Sequence, residues 1–498
     1  MNRQYYSLFF VMGACLLLSL SFCPPFDLLL DDKEIFKYAG MAILRGEVPY
    51  RDFFDHKPPM IFFINAAGLI FGPWGLWMLN TTLALLSTLL FFNCCRQYRL
   101  PFPWLLPLLF NLMLRDNLIS LGINMTREYT ALFTILFFCV LLGKYRYRHF
   151  WLGLLSALIF FIQQDQALPL LPFLIYTVIS RPDGVVDEPV RMRMRTLRLV
   201  LGFLYFTIPL LLYFAVHHSL DYFWADAFRF NFSVYTSPKK SLGDHFRTAK
   251  MVLDMGNYEV AFMTALVLGI ASLFLRNKRK GLVLASLAAL FLTMSPEFLG
   301  GRWLIHGVPA FYIYYFLPLS AAICIVLFTV FAFTEDGILA GRKAQFPYAI
   351  LLCCSLVYTS LQHSTHLERR DADPALKSPE LAWLRQKKPG DYQLYVFYNN
   401  PYICCYNELK ILAPTKWIYQ HFWGIYADWD PENGILQSIG QDLLRHRTLY
   451  VIMDAASIDE FANPTNRDWW LSFMEKHYQQ VPVPGRAKPI LWKLKDNP

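Results

Sequence analysis

The feature that most constrains this chain is a series of apolar blocks whose lengths approach the thickness of a bilayer. A helix needs about 20 mostly apolar residues to cross a hydrocarbon core of roughly 30 Å. The candidate spans are residues 6–24, 74–95, 101–118, 126–143, 150–163, 166–180, 198–217, 258–276, 281–298, 306–332 and 345–363. Only 17% of the residues are charged and 55% are hydrophobic, whereas an average soluble protein has roughly 25% charged residues. We therefore predict a polytopic α-helical membrane protein with about 11 transmembrane helices, which excludes a soluble enzyme.

The basic clusters between these blocks predict the orientation, because short cytoplasmic loops collect Lys and Arg. With a cytoplasmic N-terminus, all the basic clusters fall inside: residues 96–99, 144–148, 191–198, 276–280 and 342–343. The segment 58–71 would reverse this order if it crossed the membrane, but as a helix it covers only about 21 Å. We place it at the interface or as a lead-in to the next span. The net charge of +9 therefore follows from topology and does not indicate a nucleic-acid partner.

Three segments share the outer side in this topology. They are the first outer loop at residues 25–58, the second large outer loop at residues 218–257, and the region from residue 366 onward. This last region has strand-like stretches at 392–398 and 449–453, and helical stretches at 379–388 and 468–479. We expect it to form a small soluble α/β domain (366–498) after a transmembrane domain (1–365).

The first outer loop combines an amphipathic stretch with a polar turn. Apolar residues recur on one side at helical spacing: Ile35, Phe36, Ala39, Ile43 and Leu44. This pattern suits a helix that lies in the membrane interface. The turn that follows holds Arg51, Asp52, Asp55, His56 and Lys57 before two prolines. Carboxylates at this level can act as general bases and a lysine can neutralise a lipid phosphate, although a solvated, charged connector is the commoner use of such a loop.

The residues of this loop resemble a known family. Asp32 followed six residues later by Tyr38, and then Gly46-x-Val48-Pro49-Tyr50-Arg51-Asp52-Phe53-Phe54-Asp55-His56-Lys57-Pro58-Pro59, is similar to the first-loop signature of GT-C membrane glycosyltransferases. The most similar group includes protein O-mannosyltransferases and aminoarabinose transferases. The resemblance implies a GT-C type fold, and it extends to the acidic first loop, the many spans and the soluble C-terminal region.

The resemblance also implies roles for individual residues of this loop. An acidic residue in the family's first loop acts as catalytic base or orients the acceptor, which points to Asp32. Asp31 stays an alternative, because the family often has Asp-Glu where this chain has Asp31-Asp32-Lys33. The Lys-Pro-Pro turn resembles the site for the phosphate of a polyprenyl-phosphate sugar, which points to Lys57. Tyr50 and His56 of the same motif are candidate substrate-binding residues.

Two further motifs resemble the family. Gly122-Ile123-Asn124-Met125-Thr126-Arg127-Glu128 suggests that Glu128 binds substrate, while an Arg127–Glu128 ion pair at a helix start is the alternative. Gly301-Arg302-Trp303-Leu304-Ile305-His306 resembles the family's Gly-Arg-x-x-x-His motif, so Arg302 and His306 would hold phosphate oxygens; interfacial anchoring by Arg302 and Trp303 is the alternative. Asp165, in a polar turn at membrane level, is a weaker functional candidate.

These residues lead to one main hypothesis. Asp32 would take the proton from an acceptor hydroxyl, which attacks the anomeric carbon of a polyprenyl-phosphate sugar with inversion, while Lys57 and Arg302 stabilise the departing phosphate. The acceptor is a hydroxyl of a lipid, a glycan or a protein. A transporter or flippase for lipid-linked sugars and a non-catalytic GT-C-like binding protein remain alternatives. The resemblance favours a bacterial inner membrane, with the C-terminal region on the periplasmic side, whereas the composition alone also suits a protein of the endoplasmic reticulum.

The sequence predicts no cofactor. It contains no P-loop or dinucleotide-binding fingerprint. The ten cysteines show no CxxC or zinc-finger spacing and no disulfide framework. A divalent metal could bind near Asp31 and Asp32, but we predict none, because the family that the chain resembles generally neutralises the phosphate with cationic side chains.

Overall fold

The computed structural model of the chain describes residues 3–27, 29, 31–100, 102–115, 124–180, 192–232, 258–294, 304–305, 308–309, 316–335, 354, 357, 370–397, 400–418, 434–453, 464–486 and 488–496. The chain divides into two compact units. Unit 1 consists of Met1–Phe26, Trp77–Leu212 and Pro238–Leu367. Unit 2 consists of Asp27–Leu76, Tyr213–Ser237 and Glu368–Pro498.

Most of the described elements are helices. In chain order the α-helices are α1 (Arg3–Leu20), α2 (Asp31–Leu44), α3 (Met60–Leu69), α4 (Gly72–Gln97), α5 (Leu105–Leu114), α6 (Thr126–Leu142), α7 (Arg148–Ile162), α8 (Leu171–Ile179), α9 (Met192–Val216), α10 (Leu220–Trp224), α11 (Glu259–Phe274), α12 (Lys280–Thr293), α13 (Leu317–Phe333), α14 (Pro379–Lys387), α15 (Cys404–Leu409), α16 (Gly434–Arg445) and α17 (Pro464–His477). Three 3₁₀ segments lie at Gln164–Leu170, Arg370–Ala372 and Asn400–Ile403, and a π-helical turn lies at Ala225–Arg229. The strands are β1 (Leu304–Ile305), β2 (Val308–Pro309), β3 (Leu394–Phe397), β4 (Tyr450–Met453), β5 (Tyr478–Val481) and β6 (Leu491–Leu494).

Unit 1 is built around helix α13. Every residue of this helix from Leu317 to Val330 is buried, and the helix packs against α5, α6, α11 and α12. A helix that is apolar on all sides is stable only when other helices surround it. The sequence of α13, which carries no charged residue, therefore places it at the centre of the bundle.

Each predicted span from 6–24 to 306–332 contains a described helix, although Val308–Pro309, near the start of the span 306–332, form β2 and α13 begins only at Leu317. Two of the described helices, α4 and α9, are long and apolar enough to cross a membrane by themselves. The predicted span 345–363 lies outside the described residues apart from Cys354 and Val357. The mostly helical membrane fold is confirmed by the comparisons given below, while the number of about 11 spans stays a prediction.

The connection between the predicted spans 150–163 and 166–180 contains a 3₁₀ segment. Helix α7 ends at Ile162, because Gln163 adopts an extended backbone with φ of −158° and ψ of 107°. The chain then forms the 3₁₀ segment Gln164–Leu170, which contains Pro169, before α8 begins. Because proline lacks a backbone N–H donor, it fits into such a short segment better than into a continuous helix.

Unit 2 contains a four-stranded sheet with the strand order β3-β4-β6-β5. Strands β3 and β4 are parallel, and the other two pairs are antiparallel. Both predicted strands are confirmed, as β3 and β4. The predicted helices are confirmed as α14 and α17, although α17 ends at His477 and the next residue begins β5. The predicted domain boundary near residue 366 stays a prediction, since unit 2 also contains Asp27–Leu76 and Tyr213–Ser237.

Helices α2 and α3 pack closely against each other in unit 2. A Cβ atom on Gly40 would lie 2.7 Å from the backbone carbonyl carbon of Asn65, so only a glycine permits this approach. The residues of α2 from Lys33 to Gly40 are all buried. The amphipathic pattern predicted one buried side, but the structure buries both sides of this part of the helix and leaves Leu44 49% exposed.

Candidate functional site

Helix α2 carries the predicted catalytic carboxylate. The helix begins at Asp31, and its first turn is acidic, which favours a helix N-terminus because the backbone N–H groups there carry partial positive charge. The side chain of Asp32 is 32% exposed, so it can reach solvent or a substrate. The side chain of Asp31 lies outside the described part of the chain, and the choice between the two residues stays open.

Lys57 lies in a turn that hydrogen bonds hold at both ends. The backbone N–H of Lys57 donates to Oδ1 of Asp55 at 2.9 Å, and the hydroxyl of Tyr50 donates to the carbonyl oxygen of Lys57 at 2.7 Å. Pro58 and Pro59 follow, and α3 begins at Met60. The Lys57 side chain is only 7% exposed, so its ammonium is held in a defined place.

The structure brings Asp32 and Lys57 together. Nζ of Lys57 lies 3.8 Å from Oδ2 of Asp32, which is an ion pair but too long for a good hydrogen bond. A partly exposed carboxylate beside a nearly buried ammonium is an arrangement that can accept a proton and stabilise an anion within a few ångströms. The sequence separates these residues by the whole of α2, and the close packing of α2 on α3 brings them near.

Tyr50 and His56 also lie in this turn, but in supporting positions. Tyr50 is fully buried, and its ring packs against those of Phe62 and Phe223 at 5.9 and 5.4 Å. His56 is 7% exposed, and its Nδ1 lies 3.7 Å from Oδ1 of Asp55. Their predicted contact with substrate stays a prediction, whereas the contacts seen here show that Tyr50 stabilises the turn.

Glu128 lies in unit 1, at the start of α6. It is fully buried and forms an ion pair with Arg115, and its Oε2 accepts the backbone N–H of Asn124 at 2.8 Å. The alternative of an Arg127–Glu128 ion pair is wrong, because Glu128 pairs with Arg115, and Arg127 pairs with Asp165 instead. Asp165 is therefore engaged by a guanidinium. The substrate-binding role of Glu128 stays a prediction.

Arg302 and His306 lie outside the described residues. Strands β1 and β2, on either side of His306 in the sequence, pair as an antiparallel two-stranded ribbon. The roles of both residues in phosphate binding stay predictions. Within the described residues, no three His, Cys, Asp or Glu side chains are grouped so that they could hold a metal ion.

A network of buried charges on α2 was missed by the sequence analysis. Lys33 forms an ion pair with Asp27, and Nζ of Lys37 lies 2.8 Å from Oδ2 of Asp27 and 3.0 Å from Oε1 of Glu34. Nη1 of Arg370 lies 3.2 Å from the same Oε1. The only local signal was the spacing of Glu34 and Lys37, which places them on one face of a helix.

Asn407 and Glu408 extend this network in the C-terminal region. Nδ2 of Asn407 donates to Oε2 of Glu34 at 2.8 Å, and Glu408 accepts from Arg370 and Arg385 at 3.4 and 2.9 Å. Helix α2 is therefore held by side chains of Arg370 and Asn407, which lie more than 300 positions after Glu34 in the sequence.

The network keeps its carboxylates ionised. Burial alone would raise the pKa of Asp27, but the ammonium groups of Lys33 and Lys37 lower it to about 2. Burial likewise opposes ionisation of Glu34, yet Lys37 and Arg370 hold its pKa below the usual range. Buried charges are tolerated only when they are paired in this way.

Glu47, just after α2, shows the opposite behaviour. Burial and the nearby carboxylates of Asp52 and Asp391 raise the pKa of Glu47 to about 8. Its Oε2 is buried and has no hydrogen-bond partner among the described residues. The neutral acid is therefore favoured at neutral pH, because a carboxylate here would face two other negative groups.

The overall fold was compared with known proteins. No protein-family model and no curated protein matches the sequence. The crystal structure of ArnT from Cupriavidus metallidurans in the apo state aligns with a TM-score of 0.59 and 12% identity, over 99% of this chain and 98% of that one. The crystal structure of ArnT from Cupriavidus metallidurans bound to undecaprenyl phosphate aligns with a TM-score of 0.52 and 12% identity, over 100% and 99%. The chain has the fold of ArnT.

This fold confirms one part of the sequence analysis. ArnT is an aminoarabinose transferase of the GT-C superfamily, and the first-loop motif pointed to that group. At 12% identity, the likeness concerns the fold. The roles of Asp32 and Lys57 rest on the geometry described above and on the motif.

Proposed function

We propose that this chain is an integral-membrane glycosyltransferase that uses a polyprenyl-phosphate-linked sugar as donor. The acceptor is a hydroxyl of a lipid, a glycan or a protein on the outer side of the membrane. The observation that carries the proposal is the Asp32–Lys57 pair at 3.8 Å, on a fold shared with a structure of ArnT bound to undecaprenyl phosphate.

The chemistry assigned to the pair is simple. Asp32 accepts the proton of the acceptor hydroxyl as its oxygen attacks the anomeric carbon of the donor, and the bond from that carbon to the phosphate oxygen breaks. Lys57 stabilises the charge on the departing polyprenyl phosphate. Because the two groups lie within 4 Å, a phosphate that meets the ammonium brings the anomeric carbon near the carboxylate.

The proposal includes a location and further ligands. The chain is assigned to a bacterial inner membrane, with unit 2 on the periplasmic side, since unit 2 contains nearly all of the first outer loop, the first part of the second and the C-terminal region, which the basic loops place outside. Arg302 and His306 are assigned to the phosphate as additional donors. The reaction is proposed to need no nucleotide cofactor and no metal, which addition of a chelator to the transfer assay would test.

Donor binding is the first experiment. The full-length protein is purified in detergent and titrated with undecaprenyl phosphate, with native mass spectrometry as readout. We expect Lys57→Ala to weaken binding by about tenfold or more, the loss of roughly 1.4 kcal/mol. Lys476→Ala, at an exposed lysine in α17, is the matched control and should bind normally. Normal binding by Lys57→Ala would remove the phosphate role.

Sugar transfer is the second experiment, performed with extracts of polyprenyl-phosphate sugars. Asp32→Asn should still bind the donor but lose transfer by roughly 10²–10⁴-fold, the usual contribution of a general base. If Asp31→Asn causes this loss instead, the base is Asp31. Binding without transfer in the unmodified protein would identify a non-catalytic binding protein.

A further inference from the structure

The turn that carries Lys57 contains a residue in an uncommon backbone conformation. Tyr50 has a φ of 68°, in the left-handed region that bulky side chains rarely adopt. Its N–H donates to the carbonyl of Phe53 at 2.9 Å, and its hydroxyl donates to that of Lys57 at 2.7 Å. Its own carbonyl accepts a bond from Nζ of Lys416 at 2.9 Å. A strained residue persists only where its surroundings hold it. Of these three hydrogen bonds of Tyr50, the one with Lys416 comes from outside the turn.

Lys416 contacts the turn with its backbone as well as with its side chain. Its carbonyl oxygen accepts the N–H of Phe54 at 2.7 Å. The ring of Phe54 lies 4.8 Å from the ring of Trp417, the next residue in the chain. Tyr50 and Phe54, at the two ends of this part of the turn, are therefore both bonded to Lys416.

The second outer loop fixes the position of the Lys416 ammonium. Nζ of Lys416 lies 2.8 Å from Oδ2 of Asp226, whose side chain is only 5% exposed. Asp226 lies in the π-helical turn Ala225–Arg229, and π-helical turns occur frequently at functional sites. Asn231, two residues after this turn, donates its side-chain N–H to the carbonyl of His56 at 2.7 Å. The loop thus supports the Lys57 turn in two ways: Asp226 acts through Lys416, and Asn231 bonds to the turn directly.

We propose that Lys416 is a positioning residue for the donor phosphate site: anchored by Asp226, it holds Tyr50 and thereby the turn that presents Lys57. This inference rests on the proposed function, in which Lys57 binds the phosphate. Lys416 itself is not assigned to the phosphate, because its ammonium is shared between Asp226 and the carbonyl of Tyr50. It also lies 4.9 Å from the ring centre of Tyr222, where the aromatic face stabilises a cation.

The test compares donor binding among variants of the full-length protein, titrated with undecaprenyl phosphate. Lys416→Met should weaken binding by about tenfold or more, because a loosened turn misplaces Lys57. Lys416→Arg keeps a cation that can reach Asp226 and Tyr50, and should restore binding to within about threefold of the unmodified protein. Lys476→Met removes an exposed lysine of the same unit and should change nothing.

Asp226→Asn separates positioning from direct phosphate contact. If Lys416 positions the turn, this variant weakens binding, since the ammonium loses its anchor. If Lys416 contacts phosphate, the variant strengthens binding, because the competing carboxylate is gone; that result would overturn the inference. In transfer assays we expect the KM for the donor to rise in Lys416→Met while the KM for the acceptor stays unchanged. A general folding defect would instead lower the apparent kcat and leave both KM values unchanged.

The outcomes also distinguish this inference from the proposed function. If the unmodified protein binds no undecaprenyl phosphate, the proposed function fails. The inference on Lys416 alone fails if the unmodified protein binds undecaprenyl phosphate, Lys57→Ala loses this binding and Lys416→Met keeps it. Should Lys416→Met not fold, Asp226→Asn alone still decides, because weaker and stronger binding have opposite meanings.

Discussion

Replacing Glu34 with glutamine should destabilise unit 2 far more than the loss of one surface charge would. Glu34 is 2% exposed. Its Oε1 accepts from Lys37 and Arg370 at 3.0 and 3.2 Å, and its Oε2 accepts from Asn407 at 2.8 Å. Glutamine has one oxygen and one NH₂ group, so in either orientation an N–H donor faces another donor.

The magnitude follows from these contacts. Breaking a buried ion pair by removing one partner costs about 3–5 kcal/mol, because the other charge stays buried. In the variant, Lys37 still has Asp27 as an ion-pair partner, and Arg370 still has Glu408. We therefore expect a cost of about 3 kcal/mol, the lower end of this range. For a unit of roughly 200 residues, each kcal/mol lowers Tm by about 2–4 °C. The expected decrease is therefore about 6–12 °C.

Cysteine labelling during heating can measure this change at the right place. Cys404 and Cys405 carry buried thiols in α15, which packs against α2. A maleimide added along a temperature ramp, with the peptides identified by mass spectrometry, reports when these two thiols become accessible. Glu408→Gln is the matched control: Glu408 is 27% exposed, so its pairs should contribute less than those of the buried Glu34, closer to the value of about 0–1 kcal/mol for exposed pairs. Equal midpoints for Glu34→Gln and the unmodified protein, or equal losses in both variants, would refute the reasoning.

Three further predictions concern other parts of the fold. Gly40→Ala should cost about 1–3 kcal/mol, because its Cβ would overlap the backbone of α3; Gly13→Ala, with open space around its Cβ, should be neutral or slightly stabilising in the same thermal assay. Glu47 holds a proton in the folded state between its ordinary pKa near 4.5 and its raised pKa of about 8. The free energy of unfolding should therefore fall as the pH rises through this window. In melting curves from pH 5 to 8.5, Glu47→Gln should abolish that fall. Arg115→Met should lower the free energy of unfolding by about 3–5 kcal/mol, since it leaves the buried Glu128 without its ion-pair partner. Adding Glu128→Leu should recover most of the loss. A double variant as unstable as the single one would contradict this.

Local signals explain what the sequence analysis predicted correctly. The helix predicted at 379–388 has Ser378 before it, whose Oγ accepts the N–H of Leu381 at 3.3 Å, and a proline in its first turn. Both are helix-start signals that act within a few residues. Strand β4 is a short apolar run between polar residues, and it forms the fully buried strand that this pattern predicts.

Long-range contacts explain what the sequence analysis missed. Lys33, Glu34 and Lys37 look like solvated charges in an outer loop, because nothing nearby in the sequence shows that they are buried. Their burial depends on Asp27 and on Arg370, which follows Glu34 by 336 positions. Asp226 and Lys416 are likewise separated by 190 positions. Periodicity and motifs carry no information on such pairs, whereas the Asp32–Lys57 pair was accessible through the first-loop motif.

The charged network fixes the rotation of α2, and this has a consequence for Asp32. Successive residues of a helix are about 100° apart, so Lys33, Glu34 and Lys37 can meet their partners in one rotational setting only. A turn of α2 by one residue would break these pairs and move Asp32 away from Lys57. Apolar replacements can equal a buried ion pair in stability but specify no particular setting. A protein with the network replaced by apolar residues of similar size could therefore remain as stable and still lose sugar transfer, which would show that the buried charges serve the placement of Asp32.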